Sequence, residues 1–504
     1  MTIQNQDKLI TDFLKVFAKD PNFKFAAKLQ KKFPAAEIYL VGGKVRDILL
    51  QRESYDYDFV IRNVPAKDLE KFLAKEGSVN FVGKSFGVFK FVPKKYTLAE
   101  AIDIALPRTE ESFNTGGYRD FDVQTDPNLP IDKDLSRRDF TINAMAVNIK
   151  TGEIIDPFDG QTDLKNKIIR TVGDPKLRFG EDFTRMIRAI RFSVQLYFKI
   201  EQPTYLAIQN LAPKIKTMAT ERITEEFNKI IISTNAEFGL QLLQKSNLLK
   251  YYLPELEQGV GVSQNRSHIY SVFTHNVKAL GFAAQRNYNL NVRLAALFHD
   301  IAKPQVKAGE GPDSTFYNHD IVGAKITRKI LQRLKYSNEI VDKVSHLVRH
   351  HMFFYSLGDI TDAAVRRLLV RVGKDNIAEI IQVRICDRLG MGRPKAKPYK
   401  LIDLEKRLHE VQLDPISVKM LKIDGTELMK FLEIKPGPKI GLLLNALLAE
   451  VLEDPKKNNK TYLQKHLKEL IKLSDSDIKD LAPQLDKYEE VRKREYFSHV
   501  KWVE

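Results

Sequence analysis

Apolar residues recur at helical spacing between positions 7 and 32, at Leu9, Ile10, Phe13, Leu14, Phe17, Phe25 and Leu29, and predict a leading helical segment. Short β-type runs follow: Glu37-Ile-Tyr-Leu-Val41, Phe59-Val-Ile61, Phe86–Val92 and Ala101-Ile-Asp-Ile-Ala105. Helical stretches lie between them, and this mixed unit ends near Lys150. Thr151-Gly152 reads as a turn and Asp156-Pro-Phe-Asp-Gly160 as a loop. From about Asp163 strand signals nearly vanish. Amphipathic helical patterns take over, for example at Phe183–Leu196 and Glu221–Ile232. The basic, Pro-bearing stretch Arg393–Lys400 reads as a linker. The last hundred residues read as helices broken at Pro436-Gly-Pro438 and Asp454-Pro455. The fold class expected is α+β, with a mixed head followed by mostly helical domains.

Composition narrows the class. The 504 residues are 43% hydrophobic and 10% aromatic, which excludes a disordered chain, a collagen and a small disulfide scaffold. A lone cysteine, Cys386, has no partner for an internal disulfide and suits a reducing compartment. The longest apolar stretch, near Ile440–Leu452, is too short to span a bilayer, and Met1–Ile10 has no signal-peptide core. A cytoplasmic protein without a membrane partner is expected. Its 81 Lys and Arg against 65 Asp and Glu give a net charge of +16, which suits a polyanionic partner without identifying one.

Val41-Gly-Gly-Lys-Val-Arg-Asp47 follows a strand and opens a helix. Gly42 and Gly43 let the backbone approach a ligand closely, and Arg46 lies in reach of a phosphate. Such a Gly-Gly is more often just a turn. Asp56-Tyr-Asp58 changes the weighting, because alternation puts both acids on one strand face. Side by side they repel unless water or a cation lies between them. Asp103, flanked by Ile102 and Ile104, is an acid inside an apolar strand. Three carboxylates on neighbouring strands offer Mg²⁺ hard oxygen ligands. Two such ions activate an attacking hydroxyl and stabilise a leaving pyrophosphate. Glycines beside metal-binding acids imply phosphoryl or nucleotidyl transfer.

A second group begins at Arg137-Arg138-Asp139, where Arg137 is a candidate nucleotide contact and Arg138 with Asp139 a structural ion pair. In Glu181–Phe192, Asp182, Arg185 and Arg188 recur every three residues and share roughly one side of a helix. A solvated charged face is the plain reading. However, Met186, Ile187, Ile190 and Phe192 in the same segment call for burial. A carboxylate only accepts hydrogen bonds and a guanidinium only donates. One Asp with one Arg therefore matches the amino group and ring nitrogen of both cytosine and adenine and rejects uracil and guanine.

Together these stretches resemble class II tRNA nucleotidyltransferases, the CCA-adding enzymes, and the related bacterial poly(A) polymerases. Ile102–Glu110, Asp156-Pro, Asp159-Gly, Val172-Gly-Asp-Pro and Arg178–Arg185 extend the likeness over residues 36–230. The resemblance implies an N-terminal helical extension (1–34), a nucleotidyltransferase head (35–150), a helical neck that recognises bases and RNA (151–255) and an HD domain (256–400). A helical tail that grips tRNA (401–504) completes it. It implies Mg²⁺ on Asp56 and Asp58, with Asp103 as third acid, and nucleotide contacts at Gly42, Gly43, Arg46, Arg137, Asp182, Arg185 and Arg188. Asp182 and Arg185 fall on the pair that serves as a protein template for C and A. Gln51-Arg52 stands where many members have Gly. Arg108–Arg119 looks like the flexible loop of CCA-adding members.

Histidines gather between 275 and 351. The pattern resembles an HD domain in which His275, His299, Asp300 and Asp387 hold one divalent metal. His319 with His350 or His351 is then a candidate second site. Such ligands suit Mn, Fe, Ni or Mg better than structural zinc. The family's His-Asp-x-Gly-Lys reads His299-Asp-Ile-Ala-Lys303 here, so the fold without the activity stays open. The function expected is addition of C, C and A to a tRNA 3′ end from CTP and ATP. The alternatives are a poly(A) polymerase, a partial CC- or A-adding enzyme, and an HD phosphohydrolase with an RNA-binding head.

Overall fold

A computed structural model describes residues 3–82, 88–94, 101–112, 121–265, 269–353, 361–392 and 399–481. The linker expected at 393–400 falls mostly outside them, as do residues 113–119 of the loop-like segment and the start of the run at 86. Contacts divide the chain into two compact units, Met1–Pro254 and Glu255–Glu504.

In the first unit the leading segment forms two helices, α1 (Ile3–Lys19) and α2 (Lys24–Lys32). Asp20 splits them by accepting the Asn22 N–H ahead of a 3-10 turn that starts at Pro21. Strand β1 (Glu37–Val41) then leads through Gly42 into α3 (Gly43–Leu49), and β2 (Asp58–Arg62) follows. Helix α4 (Ala66–Glu76) connects to β3 (Gly77–Val82), β4 (Val88–Pro93) and β5 (Ile102–Ala105). A separate two-stranded ribbon pairs β6 (Arg108–Ser112) with β7 (Phe121–Thr125). After α5 (Ile131–Ser136) the chain returns to the sheet as β8 (Ala146–Asn148) and β9 (Ile154–Ile155). The seven-stranded order is β3-β4-β5-β2-β1-β8-β9. β2 and β5 run parallel and the other neighbours antiparallel.

Strand alternation sorts this sheet into two faces. Phe59 points to the aromatic cluster of Phe17, Phe23, Phe25 and Phe91, whose rings lie 4.4–6.2 Å apart. Val60 points the other way, packing with Tyr39, Val41, Ile131, Leu135 and Ala144. Asp58 shares the parity of Val60, so it opens onto that second face at the strand's N-terminal edge.

After α6 (Gly160–Asn166), α7 (Pro175–Glu181) and α8 (Thr184–Leu196), α9 (Gln202–Leu211) and α10 (Thr220–Ile231) continue the helical part. Helix α8 buries Met186, Ile187, Ala189, Ile190 and Phe192. The second unit is helical in its described residues. One core lies among helices Val272–Gln285, Leu290–Phe298 and Ile377–Gly390, where Ala279, Ala283, Ala296 and Cys386 meet. Another gathers Leu428, Leu443, Leu447, Val451, Leu463 and Leu467 further along the chain. Among the described residues no helix is long and apolar enough to cross a membrane.

Candidate functional site

Register brings the head's acids together. Parallel pairing of β2 with β5 sets Asp58 opposite Asp103, and antiparallel pairing of β5 with β4 sets Lys90 opposite Asp103. The Lys90 ammonium lies 2.9 and 3.1 Å from the two Asp103 oxygens. Asp56 does not share a strand with Asp58, as alternation had suggested. The strand begins at Asp58, and Asp56 sits exposed in the irregular segment before it. The acids still act on one another. Burial, then the Asp56 carboxylate and more weakly that of Asp103, pushes Asp58 up to about 7 against the pull of Arg138 and Lys90. A carboxyl held half-protonated at neutrality lacks positive charge, and a hard divalent cation supplies it. The donor set therefore fits such an ion, although the acids' oxygens do not close to within 4.8 Å of one another as the histidine clusters below do.

Gly42 frames this edge. Its φ of +72° lies where side chains are strained, and a Cβ there would meet Arg138 Nη1 at 2.8 Å. Gly43 begins α3, with Arg46 Nη2 3.6 Å from where its Cβ would be. Arg46 donates to Asp47 at 2.9 and 3.0 Å and to Asn143 Oδ1 at 2.8 Å, and lies over the Phe192 ring at 5.2 Å.

The base-reading candidates each hold a partner. Asp182 ends α7 and accepts from the Thr184 N–H at 2.9 Å, the Thr184 hydroxyl at 2.5 Å and Arg222 Nη2 at 2.8 Å. Arg185 donates to Glu181 one turn back, to the Arg178 carbonyl at 2.9 Å and to the Arg137 carbonyl at 3.2 Å. Asp182 and Arg185 are both buried. Arg137 pairs with Asp134 at 2.8 Å. Arg188 reaches Asp139 at 2.6 Å and Glu226 at 3.6 Å. This corrects the expected Arg138–Asp139 pair: Asp139 belongs to Arg188, and Arg138 turns to Asp134 at 3.5 Å and to the Gly42 edge. Neighbours in sequence diverge here because α5 ends at Ser136 and the chain changes direction.

In the second unit the histidines converge more tightly. His275 Nε2 and His299 Nε2 are 2.9 Å apart. Asp387 Oδ1 stands 3.3 and 3.6 Å from them, and Asp300 Oδ2 3.2 and 3.3 Å. The other oxygen, Asp300 Oδ1, faces His319 Nε2 at 3.4 Å and His351 Nε2 at 3.8 Å. One carboxylate thus touches two groups, each with ligand atoms within 4.8 Å. The Nδ1 atoms of His299, His319 and His351 lie 2.7–2.8 Å from the carbonyls of Ala296, Phe316 and Val348. A carbonyl only accepts, so each Nδ1 carries the proton and each Nε2 is turned inward, the orientation metal ligands take. His351 Nε2 is buried with no hydrogen-bond partner. Burial drives His351 down to about 3 and also lowers His319, leaving neutral imidazoles able to bind a metal. His299 rises to about 10, since Asp300 and Asp387 overcome its burial.

His350, the expected second-site ligand, is elsewhere. Successive helical residues point about 100° apart, and its ring packs on His346 at 4.5 Å. His351 takes the place beside His319.

Comparison with known proteins agrees with this architecture. Residues 38–170 match the Poly A polymerase head domain, 197–259 the Probable RNA and SrmB- binding site of polymerase A, and 272–392 the HD domain. An A-adding tRNA nucleotidyltransferase from Deinococcus radiodurans is 32% identical over 81% of this chain and 90% of its own length. A Multifunctional CCA protein from Stenotrophomonas maltophilia is 32% identical over 80% and 96%. The Bacillus stearothermophilus CCA-adding enzyme in complex with CTP superposes with a TM-score of 0.64 at 25% identity, covering 89% of this chain and 98% of that one.

The chain belongs to the tRNA nucleotidyltransferase family. It is a nucleotidyltransferase with an α+β head and an HD domain, two domain types that generally use divalent metals. Sequence reading missed several partners within this nucleotidyltransferase: Lys90, Asp134, Glu181, Arg222 and Glu226. Lys90 left a signal, a lone cation between Phe89 and Phe91 in a strand. Arg222 left none, because its partner is 40 residues away.

The Asp139–Arg188 pair yields a stability prediction. Arg188 holds the buried Asp139 down at about 2 against its own burial. Its contribution is therefore present above the unfolded carboxyl value of about 4 and fades as pH falls toward 2. Asp139→Asn leaves Arg188 facing an uncharged amide. Urea unfolding at pH 7 should show a loss of roughly 2–3 kcal/mol, and the gap to wild type should shrink on acidification from pH 4.

Proposed function

We propose that this enzyme builds or repairs the 3′-terminal CCA of tRNA from CTP and ATP with Mg²⁺, without a nucleic-acid template and in the cytoplasm. The observation that carries the reading is the register that sets Asp58 opposite Asp103 at the strand edge beside Gly42, with Asp58 pushed up to about 7 by burial and by the carboxylates of Asp56 and Asp103. Asp56, Asp58 and Asp103 would hold Mg²⁺, which when bound activates the 3′-hydroxyl and neutralises the triphosphate. Gly42 leaves room for the phosphates because it carries no side chain. Arg46 and Arg137 offer guanidinium donors to phosphate oxygens.

Asp182 and Arg185 then read the base, the carboxylate accepting from the amino group and the guanidinium donating to the ring nitrogen of C or A. Arg188 supports them from the same helix. Each gives up or shares a protein partner when a nucleotide enters. That Arg185 bonds the Arg137 carbonyl supports the reading, since it ties a base contact to a phosphate contact. A second reading, addition of the terminal A alone, is the activity in the name of the Deinococcus radiodurans relative, whereas the Stenotrophomonas maltophilia and Bacillus stearothermophilus proteins are named for CCA.

A tRNA ending before its CCA, supplied with CTP, ATP and Mg²⁺, should grow by three nucleotides. Asp58→Ala should lower the rate at least about a thousandfold. Growth by A alone on a tRNA already ending in CC indicates the second reading, and an open-ended A tail indicates poly(A) addition.

The HD domain would hold a pair of divalent metals, one on His275, His299, Asp387 and Asp300 Oδ2, the other on Asp300 Oδ1, His319 and His351. Mn, Fe, Ni or Mg suits this set, and such a pair provides for hydrolysis of a phosphomonoester or a cyclic 2′,3′-phosphate at a damaged tRNA end. Metal analysis should find one fewer bound ion in His351→Ala, whereas His350→Ala should keep the wild-type number.

A further inference from the structure

The segment between α3 and β2 carries Asp56, yet residues 52–57 form no regular structure. Its ends are fixed. The Arg52 N–H donates to the Asp47 carbonyl at 2.8 Å, and the Tyr57 carbonyl accepts from the Asp103 N–H at 3.0 Å. Lys44, the second residue of α3, reaches the middle. It is buried, its ammonium donates to the Ser54 carbonyl, and the charge stands 4.2 Å from the Tyr57 ring centroid. Below lies the N-terminal extension, with the Phe13 ring 5.8 Å from Lys44 Nζ and the Phe23 ring 4.6 Å from that of Tyr57. A buried ammonium is costly unless hydrogen-bonded or paired, and these contacts offset that cost.

We propose that Lys44 is a positioning residue for the head's metal site, a clamp that fixes the Ser54–Tyr57 segment and so sets Asp56 beside Asp58. Phe13 and Phe23 of the leading helical region brace the clamp from beneath. This gives the extension a function without any contact to substrate. It also explains a cation in a position that otherwise merely adds charge close to where a metal must bind. The proposal rests on the reading that Asp56 and Asp58 hold the metal.

Two roles for Lys44 predict opposite signs. If it only contributed charge, removing it would tighten cation binding, because Asp47 and Asp56 feel its field. If it positions Asp56, removing it weakens cation binding. Fe²⁺ with ascorbate and peroxide cuts a backbone beside the bound ion, and fragment length separates cuts near 56–58 from cuts in the HD domain.

In Lys44→Met, half-maximal cutting near 56–58 should need about tenfold more Fe²⁺, as for loss of a group that orients a metal ligand. HD-domain cutting should not change. The rate of nucleotide addition at saturating CTP should fall about tenfold with KM for CTP within about twofold, and Lys44→Arg should restore both. Lys44→Gln, which keeps a donor for Ser54 but lacks the charge over the ring, should show an Fe²⁺ shift of about threefold, and decides the matter should Lys44→Met fold poorly. Cutting at wild-type or lower Fe²⁺ in the folded variant overturns the clamp and leaves the metal reading intact. Absence of cuts near 56–58 in the wild type, or their persistence in Asp58→Asn, overturns the metal reading and the clamp with it.

Discussion

Mutual repulsion of carboxylates at one edge of a buried sheet governs the head. Asp58 is partly buried opposite Asp103 and within the field of Asp56, and its proton affinity rises accordingly. Lys90 relieves part of this by clasping Asp103. Half-exposed and on a flexible stem, it is a weak substitute for a divalent ion. The sheet itself bears the strain: Phe59 and its aromatic neighbours on one face and Val60 with its aliphatic neighbours on the other anchor the strand that presents Asp58. Packing thus supplies the stability that the acids, left to themselves, would spend.

The nucleotide-contact candidates of head and neck handle charge in the opposite way. There every candidate reader is matched with an opposite charge: Asp182 with Arg222, Arg185 with Glu181, Arg188 with Asp139 and Glu226, and Arg137 with Asp134. Pairing of this kind keeps buried groups ionised and oriented before a ligand arrives, which lowers the ordering cost of binding. The HD cluster combines both strategies. Asp300 and Asp387 oppose the histidines, while Lys303 and Arg384, each at 2.6 Å, pair with the same carboxylates.

Much of this was legible in the residues. Glu37–Val41 is read correctly to the residue, and Phe183–Leu196 to within one, because alternation and helical periodicity report burial directly. The leading segment was recognised as helical, but Asp20-Pro21 breaks it into two helices. The sequence pattern does not reveal β3, whose Gly77-Ser-Val-Asn-Phe-Val82 lies at the sheet edge, nor β8 and β9, which at three and two residues are too short for alternation to register. What periodicity could not provide was pairing across space. Asp139 was assigned its sequence neighbour Arg138 when its partner is Arg188, 49 positions on. His350 and His351 were indistinguishable until the turn of the helix decided between them.

If, as proposed, a divalent cation relieves the repulsion around Asp58, its binding must displace the Asp58 proton. Calorimetric titration of Mg²⁺ near pH 7, repeated in buffers of different ionisation enthalpy, counts the protons released on binding. Wild type should release more protons than Asp58→Asn, with the difference fading above pH 8 as Asp58 ionises unaided. Equal release by both proteins across that range would contradict the claim.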